Sequence, residues 1–254
     1  MTGEQRLIDA LCKAHSVCVL TGAGISTESG VPTFRDPQEG LWAKYDPARL
    51  STPEAFEDDP ALVTRWYDER RLSILRCRPN PAHIALAELE HLVRDRGGSF
   101  TLVTQNIDRL HQRAGSAEPI ELHGSLHVWR CTSTGRSFLP GPEPFSEYPP
   151  RSPSGSLYRP DVVWFGESLP ERALERAWRA AQWCEVYIVV GTSSLVYPAA
   201  GLTEVACESD GLTAEVNLDP TPISDRVDVC LRGKASDILP RVVAGVKGGT
   251  QYTP

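Results

Sequence analysis

The stretch VCVLTGAGIS, residues 17–26, decides the fold. VCVL is a short apolar run of the kind that forms a fully buried strand, and it leads through Gly22 and Gly24 into what reads as a helix start. The same grammar spreads outward from it. Residues 4–15 carry Leu7, Ile8 and Leu11 at helical spacing, and 82–96 form an amphipathic helix ended by Gly97 and Gly98 and followed by a strand at FTLVT. A helix at 170–183 precedes VYIVV (186–190), a helix near 198–209 precedes a strand near 213–217, and a last helix starts at about 235. Strands and helices that alternate in this way predict an α/β fold, a Rossmann-like, mostly parallel, doubly wound sheet. Such sheets bind ligands beyond the carboxyl ends of their strands.

Two stretches interrupt the alternation. Residues 33–80 read as helical but contain prolines at 37, 47, 53, 60 and 79, and residues 124–160 are rich in proline and serine with little periodicity. Both are assigned to a smaller inserted module, part helical and part proline-rich, leaving 1–32, 81–123 and 161–254 to the Rossmann-like domain. The closing GGTQYTP reads as a tail.

Composition narrows the function. The 254 residues are 41% hydrophobic and 23% charged, as in ordinary globular proteins, and the net charge of −7 argues against broad adhesion to nucleic acid. Neither a signal-like N-terminus nor an apolar run long enough to span a bilayer is visible, so the expectation is a cytoplasmic protein without membrane or nucleic-acid partners. The seven cysteines (12, 18, 77, 131, 184, 207 and 230) are scattered with no C-x-x-C, and each is expected to be a buried free thiol.

A glycine turn after a strand is a candidate phosphate cradle, because glycine lets the backbone come close to an anion and a helix start offers free amide hydrogens. A tight turn without a ligand is the plain alternative. Thr27 stands where the third glycine of the dinucleotide fingerprint would be, and no acidic strand end follows about twenty residues on, which argues against a hydride-transferring dehydrogenase. Three polar clusters sit where other strands end: TQNID (104–108), ELHG (121–124) and GTSS (191–194). Each alone reads as a turn or cap. Together they bring amide, carboxylate and imidazole groups beside the glycine loop, a constellation that can position a nucleotide and move protons. A further motif, WYDERR (66–71), places Tyr67 and Arg70 one helical turn apart, suited to grasping a carboxylate. Arg65 with Glu69 and Asp68 with Arg71 are also at ion-pair spacing, so a solvated helix face is the competing reading.

GAGISTESGVPTFRD (22–36), TQNIDRLH (104–111), ELHG (121–124), RPDVVWFGE (159–167), GTSSLVYPAA (191–200) and VNLDPTP (216–222) resemble, in this order and over nearly the whole chain, the motifs of the sirtuin family of NAD-dependent protein deacylases. The resemblance implies that Gly22, Ala23 and Gly24 hold the NAD diphosphate and that Phe34 and Arg35 lie over the nicotinamide end. It implies that Gln105, Asn106 and Asp108 surround the ribose and carboxamide, with Asn106 and His123 catalytic and His123 the general base. Ser193 and Asn217 match positions touching the adenosine half. Val163, Phe165 and Gly166 match the segment that pairs with a substrate peptide as an added strand. In that family NAD is consumed: an acylated lysine captures the ribose as nicotinamide leaves, and the acyl group departs as O-acyl-ADP-ribose.

Tyr67 and Arg70 match the Tyr-x-x-Arg pair of the class III branch, which removes succinyl, malonyl or glutaryl groups. The resemblance fails at one point. Many sirtuins hold a structural zinc with two C-x-x-C pairs, whereas here Cys131 stands alone in 124–160, so no metal is expected. A general lysine deacetylase, a protein ADP-ribosyltransferase and a non-catalytic NAD or ADP-ribose sensor remain as alternatives.

Overall fold

Val17, Val19, Val186, Ile188 and Val190 point to one side of a sheet, and Cys18, Leu20, Tyr187 and Val189 to the other; all are buried. Strands apolar on both faces demand cover on both faces, and this dictates the layering. The computed structural model describes residues 1–31 and 50–250; Phe34, Arg35 and the helical reading of 33–49 lie outside the described residues. Six strands form the main sheet: β1 (Ser16–Thr21), β2 (Ser99–Thr104), β3 (Ile120–Glu121), β7 (Val186–Val190), β8 (Leu212–Asn217) and β9 (Val229–Arg232). Their order is β3-β2-β1-β7-β8-β9, and every pairing is parallel, with Val19 opposite both Leu102 and Ile188. The chain runs outward from β1 to one edge and then returns to lay β7 on its other side. The crevice between the ends of β1 and β7 is therefore the topological switch point, where such sheets bind ligands.

Helices α1 (Gly3–Lys13), α4 (Pro81–Asp95) and α8 (Ala235–Thr250) pack together over one face, with the short α5 (Leu110–Ala114) against α4. Thr2 caps α1 by accepting from Gln5 N, and Leu7 and Leu11, one turn apart, enter the core. Helices α6 (Glu171–Trp183) and α7 (Ala199–Cys207) cover the opposite face, α6 through the small residues Ala177 and Ala181. Helix α8 extends through Thr250, so the start of GGTQYTP is helical rather than tail.

A third core cluster lies where α2 (Pro53–Asp58) and α3 (Pro60–Arg76) meet a small antiparallel sheet of β4 (Gly124–Cys131), β5 (Ser137–Phe138) and β6 (Tyr158–Val162), ordered β5-β4-β6. This sheet was not legible in the sequence. Its register shifts between Ser125 and Trp129, which breaks the alternation of β4, and β6 carries Pro160, which an edge strand tolerates but a sequence reading takes for loop. Strand β9 is another short edge strand, and its alternation leaves Cys230 exposed, contrary to the expected buried thiol. Cys12, Cys77 and Cys207 are only partly buried; Cys18, Cys131 and Cys184 are buried as expected.

Gly191, at the end of β7, has φ of +59°, and a Cβ there would meet the Ile25 nitrogen and lie 2.9 Å from Gly24 Cα. Gly191→Ala is expected to lower the unfolding free energy by about 1–3 kcal/mol. Urea titration checks this, and an unchanged midpoint would mean that the two loops separate at no cost.

Candidate active site

The β1 and β7 loops meet at the switch point. Gly22 N donates to Val190 O (3.0 Å), and Gly24 N donates to Gly191 O (2.7 Å). A Cβ on Gly22 would come within 2.7 Å of Thr192 Cβ, and one on Gly24 within 2.7 Å of Gly191 O. These glycines are thus required first by the approach of one loop to the other. The ends of β2 and β8 join at Thr192: Gln105 Nε2 donates to Thr192 Oγ1 (3.0 Å), and Asn217 Nδ2 donates to Thr192 O (2.8 Å). Ala23 and Ser193 are half-buried at the same ends. Ser194 is held at φ +54°, and its buried Oγ finds no hydrogen-bond partner among the described residues. Backbone strain together with an orphan hydroxyl in a crevice fits a polar ligand such as the dinucleotide NAD, which these loop ends would hold.

Behind the crevice lies a buried polar floor. Asn106 Nδ2 donates to Gly22 O (3.0 Å) and to Ser26 Oγ (3.2 Å), and Ser26 Oγ donates to Asp108 Oδ2 (2.7 Å). His83 accepts from Asn80 N at Nδ1, so its Nε2–H faces Ser26 Oγ (3.4 Å). His111 Nε2 lies 2.9 Å from Thr21 Oγ1, whose own proton goes to Thr104 Oγ1. Burial pushes Asp108 above the ordinary carboxylate range, partly offset by hydrogen bonds from Leu110 N and Ser26. Burial lowers His83 to about 4 and holds His111 well below the usual imidazole value. Ser26, His83, His111 and Thr192 were not singled out from the sequence. Asn80 both caps α4, accepting from Ala82 N, and donates to Ile25 O (2.7 Å); the NPAH that opens this helix is a local signal, but its contact with the glycine loop is purely tertiary.

His123 follows β3 and is partly exposed. Its Nδ1 lies 2.9 Å from Gln105 O, and because a carbonyl only accepts, the proton resides on Nδ1 and Nε2 carries the lone pair. Burial lowers its pKa, and the Gln105 carbonyl raises it in part. The imidazole is therefore a neutral base in a fixed tautomer. His123 O accepts from Val163 N (3.0 Å), which ties the base to the segment after β6. There, Trp164 N donates to Glu167 Oε2 and Phe165 N donates to Ser51 O (2.8 Å). The Phe165 side chain is exposed, and Gly166 has φ of +89°.

Tyr67 and Arg70 are 2% and 5% exposed, which overturns the solvated-face reading. Tyr67 OH donates to Ser51 Oγ (3.0 Å), so Ser51 joins the tyrosine to the Phe165 backbone. The Arg70 guanidinium lies 4.6 Å over the Trp66 ring, and burial lowers it to about 10, still cationic at neutral pH. Around Cys131 the neighbour is a hydroxyl, Ser133 Oγ at 3.3 Å, and among the described residues no group of three or more His, Cys, Asp or Glu is placed to hold a metal ion. The donor set does not fit a tetrahedral zinc. No helix among the described residues is long and apolar enough to cross a membrane.

A parallel sheet with a glycine loop, amide donors and a neutral imidazole at its switch point defines a nucleotide-binding protein equipped for proton transfer. The sequence pattern of the Sir2 family matches residues 22–198, and the chain belongs to that family. It is 48% identical over 240 residues to NAD-dependent protein deacylase 2 of Pyrobaculum aerophilum, covering 94% of each chain. A Sir2 homologue–NAD complex superposes with a TM-score of 0.90 at 44% identity, covering 97% of this chain and 94% of that one. A Sir2 structure bound to acetylated peptide gives 0.84 at 34% identity, covering 97% and 98%.

Burial holds His83, His111, His123 and His127 below the ordinary imidazole value of 6.5. As pH falls below that value the unfolded chain takes up protons that the folded chain refuses, so stability declines as pH drops from about 6.5 toward 4. Asp108 and Glu69, shifted upward, act in the opposite sense, while Glu167 and Asp228, held low by their partners, act with the four histidines. Urea midpoints are expected to fall steadily between about pH 7 and pH 4.5, and a flat profile would show that these histidines protonate freely in the folded protein.

Proposed function

We propose that this sirtuin-type enzyme is an NAD-dependent protein lysine deacylase that prefers succinyl- or malonyl-lysine and retains some deacetylase activity. The observation that carries the activity is His123, a neutral imidazole with its Nε2 lone pair available, set between the nucleotide crevice and the 163–166 segment. NAD, when bound, supplies a ribose whose nicotinamide is a cationic leaving group, so no protein nucleophile is required. Gly22, Ala23 and Gly24 would bind its diphosphate, Gln105, Asn106 and Asp108 its nicotinamide ribose and carboxamide, and Ser193 and Asn217 its adenosine half. Phe34 and Arg35 would cover the nicotinamide end. His123 takes a proton from a ribose hydroxyl, and Asn106, fixed by Gly22 O and Ser26 Oγ, orients the reacting end. Val163, Phe165 and Gly166 receive the peptide as an added strand.

The acyl preference rests on Tyr67 and Arg70. A guanidinium buried against the rings of Trp66 and Tyr67 is poorly solvated, and an acyl carboxylate gains more from meeting it there than in water. The lone Cys131 supports the accompanying reading that the inserted part of the chain, 33–80 and 124–160, folds without zinc.

Succinyl-, acetyl- and unmodified-lysine peptides of one sequence are compared with NAD, using the native enzyme and Arg70→Met. A charged hydrogen bond is worth about 1.5–3 kcal/mol, so kcat/KM should favour succinyl by roughly tenfold to a hundredfold, and Arg70→Met should erase the preference while sparing acetyl turnover. Equal turnover of both acyl peptides by both proteins would make this a general deacetylase. Labelling of the peptide by ADP-ribose would point to transferase activity, and an absence of nicotinamide release would point to a sensor.

A further inference from the structure

The segment LPGPEPFSEYPP (139–150) has no helix or strand, and its five prolines have no N–H to give. A proline-rich segment cannot knit itself into a ladder, so its polar backbone groups must find partners elsewhere. Two side chains of α3 supply them. Arg71 donates through Nη1 to Gly141 O and through Nη2 to Glu143 O (2.7 Å). Asp68 Oδ2 accepts from Phe145 N (3.0 Å) and from Tyr148 OH (2.7 Å). The two side chains are paired with each other, Arg71 Nη2 to Asp68 Oδ1 at 2.7 Å, and are 1% and 0% exposed. Phe145 closes the arrangement from the inside, its ring 4.7 Å from that of Trp129 on β4 and 5.5 Å from the Arg71 guanidinium.

The pair sits beside Tyr67 and Arg70 on the same helical turn. Tyr67 and Arg70, three residues apart, share one stripe of α3, and Asp68 and Arg71 share the stripe one residue on, about 100° around the helix. Whatever fixes the second stripe against the 139–150 segment also fixes the rotation of α3, and with it where the Tyr67 hydroxyl and Arg70 guanidinium point. We propose that Asp68 and Arg71 form a metal-free clasp that holds the 139–150 segment in the role a zinc site plays in relatives, and that they act as positioning residues for Tyr67 and Arg70. The second half of this rests on the acyl-carboxylate reading above; the first half does not.

A buried ion pair costs desolvation and on balance adds little to stability, which fits a role in fixing geometry better than one in adding free energy. The side chains are also not exchangeable with simpler ones. A lysine at 71 would keep the charge but lose the planar fork that reaches Asp68 and two carbonyls at once.

The test uses the full-length enzyme with Arg71→Met, Arg71→Lys and Tyr148→Phe, the last removing one hydrogen bond should the first unfold. Hydrogen exchange of 139–150 should accelerate by roughly tenfold or more in Arg71→Met and less in the other two, and the native rate should not respond to a zinc chelator. The succinyl-peptide KM should rise by about tenfold while acetyl-peptide kcat and the KM for NAD stay within about twofold, with Arg71→Lys intermediate. Unchanged exchange in Arg71→Met and Tyr148→Phe, or stoichiometric zinc in the native protein, overturns the clasp. A loosened segment with an unchanged succinyl-to-acetyl ratio overturns the positioning role. If Arg70→Met itself leaves the ratio unchanged, the acyl reading has failed, and the exchange rates judge the clasp on their own.

Discussion

Everything at the functional end depends on the backbone of one loop lying against the backbone of another. β1 and β7 are parallel neighbours in register, Thr21 beside Val190, so their loops leave the sheet at the same height and in the same direction. The ladder then continues one step beyond the strands, through Gly22 N to Val190 O and Gly24 N to Gly191 O. Gly191 N meanwhile donates to Val216 O, and Asn217 holds Thr192 from the next strand. A single side chain at Gly22, Gly24 or Gly191 would wedge these loops apart. The mutual approach of two loops makes these positions glycine, and the crevice is a by-product of that contact.

Beneath the crevice the protein buries groups that water would solvate better. Asn106, Asp108, Ser26, His83, His111 and Thr21 are each linked to at least one of the others or to a strand-end carbonyl or hydroxyl. Desolvation keeps both histidines neutral, so the floor carries little mobile charge and its hydrogen bonds have defined directions. A network of this kind fixes the orientation of the groups above it, because turning one member leaves a buried donor or acceptor without a partner. His123 differs from the two behind it: its ring is partly exposed, and its tautomer is set by a single backbone carbonyl.

The sheet was legible because parallel strands buried on both faces are written as apolar runs; VCVL, FTLVT and VYIVV each lie within a strand of the main sheet. The residues ending those strands were legible for the same reason, since polar groups directly after an apolar run have few other places to be. What was lost is what depends on contacts distant in sequence. His83 lies in a helix start and gave no functional signal; it reaches Ser26 only because Asn80 anchors α4 to Ile25. The β4–β6 sheet was hidden by a bulge and a proline, and Cys230 was misplaced because four residues of an edge strand cannot show which of their faces is covered. WYDERR was ambiguous in principle, since its spacing suits ion pairing on a wet surface and in a dry core alike, and only the aromatic rings brought from β4, the 139–150 segment and Trp164 decide between them.

Those rings also explain how this part of the chain carries three buried cations. Arg70 lies over Trp66, Arg71 beside Phe145, and Arg159 only 3.3 Å from the centre of the Trp164 ring. A guanidinium is more weakly hydrated than an ammonium and presents a flat face to an aromatic ring while its edges donate hydrogen bonds, so it can leave water at lower cost. Arg159 does both, stacking on Trp164 while Glu167 and the Val162 carbonyl take its edges. Repeated around one core, arginine on aromatic ring supplies directional contacts between segments that have almost no regular hydrogen bonding between them. Stacked guanidinium groups spread the constraint on these segments over several points. The geometry then tolerates a charged helix turn in the interior, where Asp68 and the Gly141 and Glu143 carbonyls take the edges of Arg71.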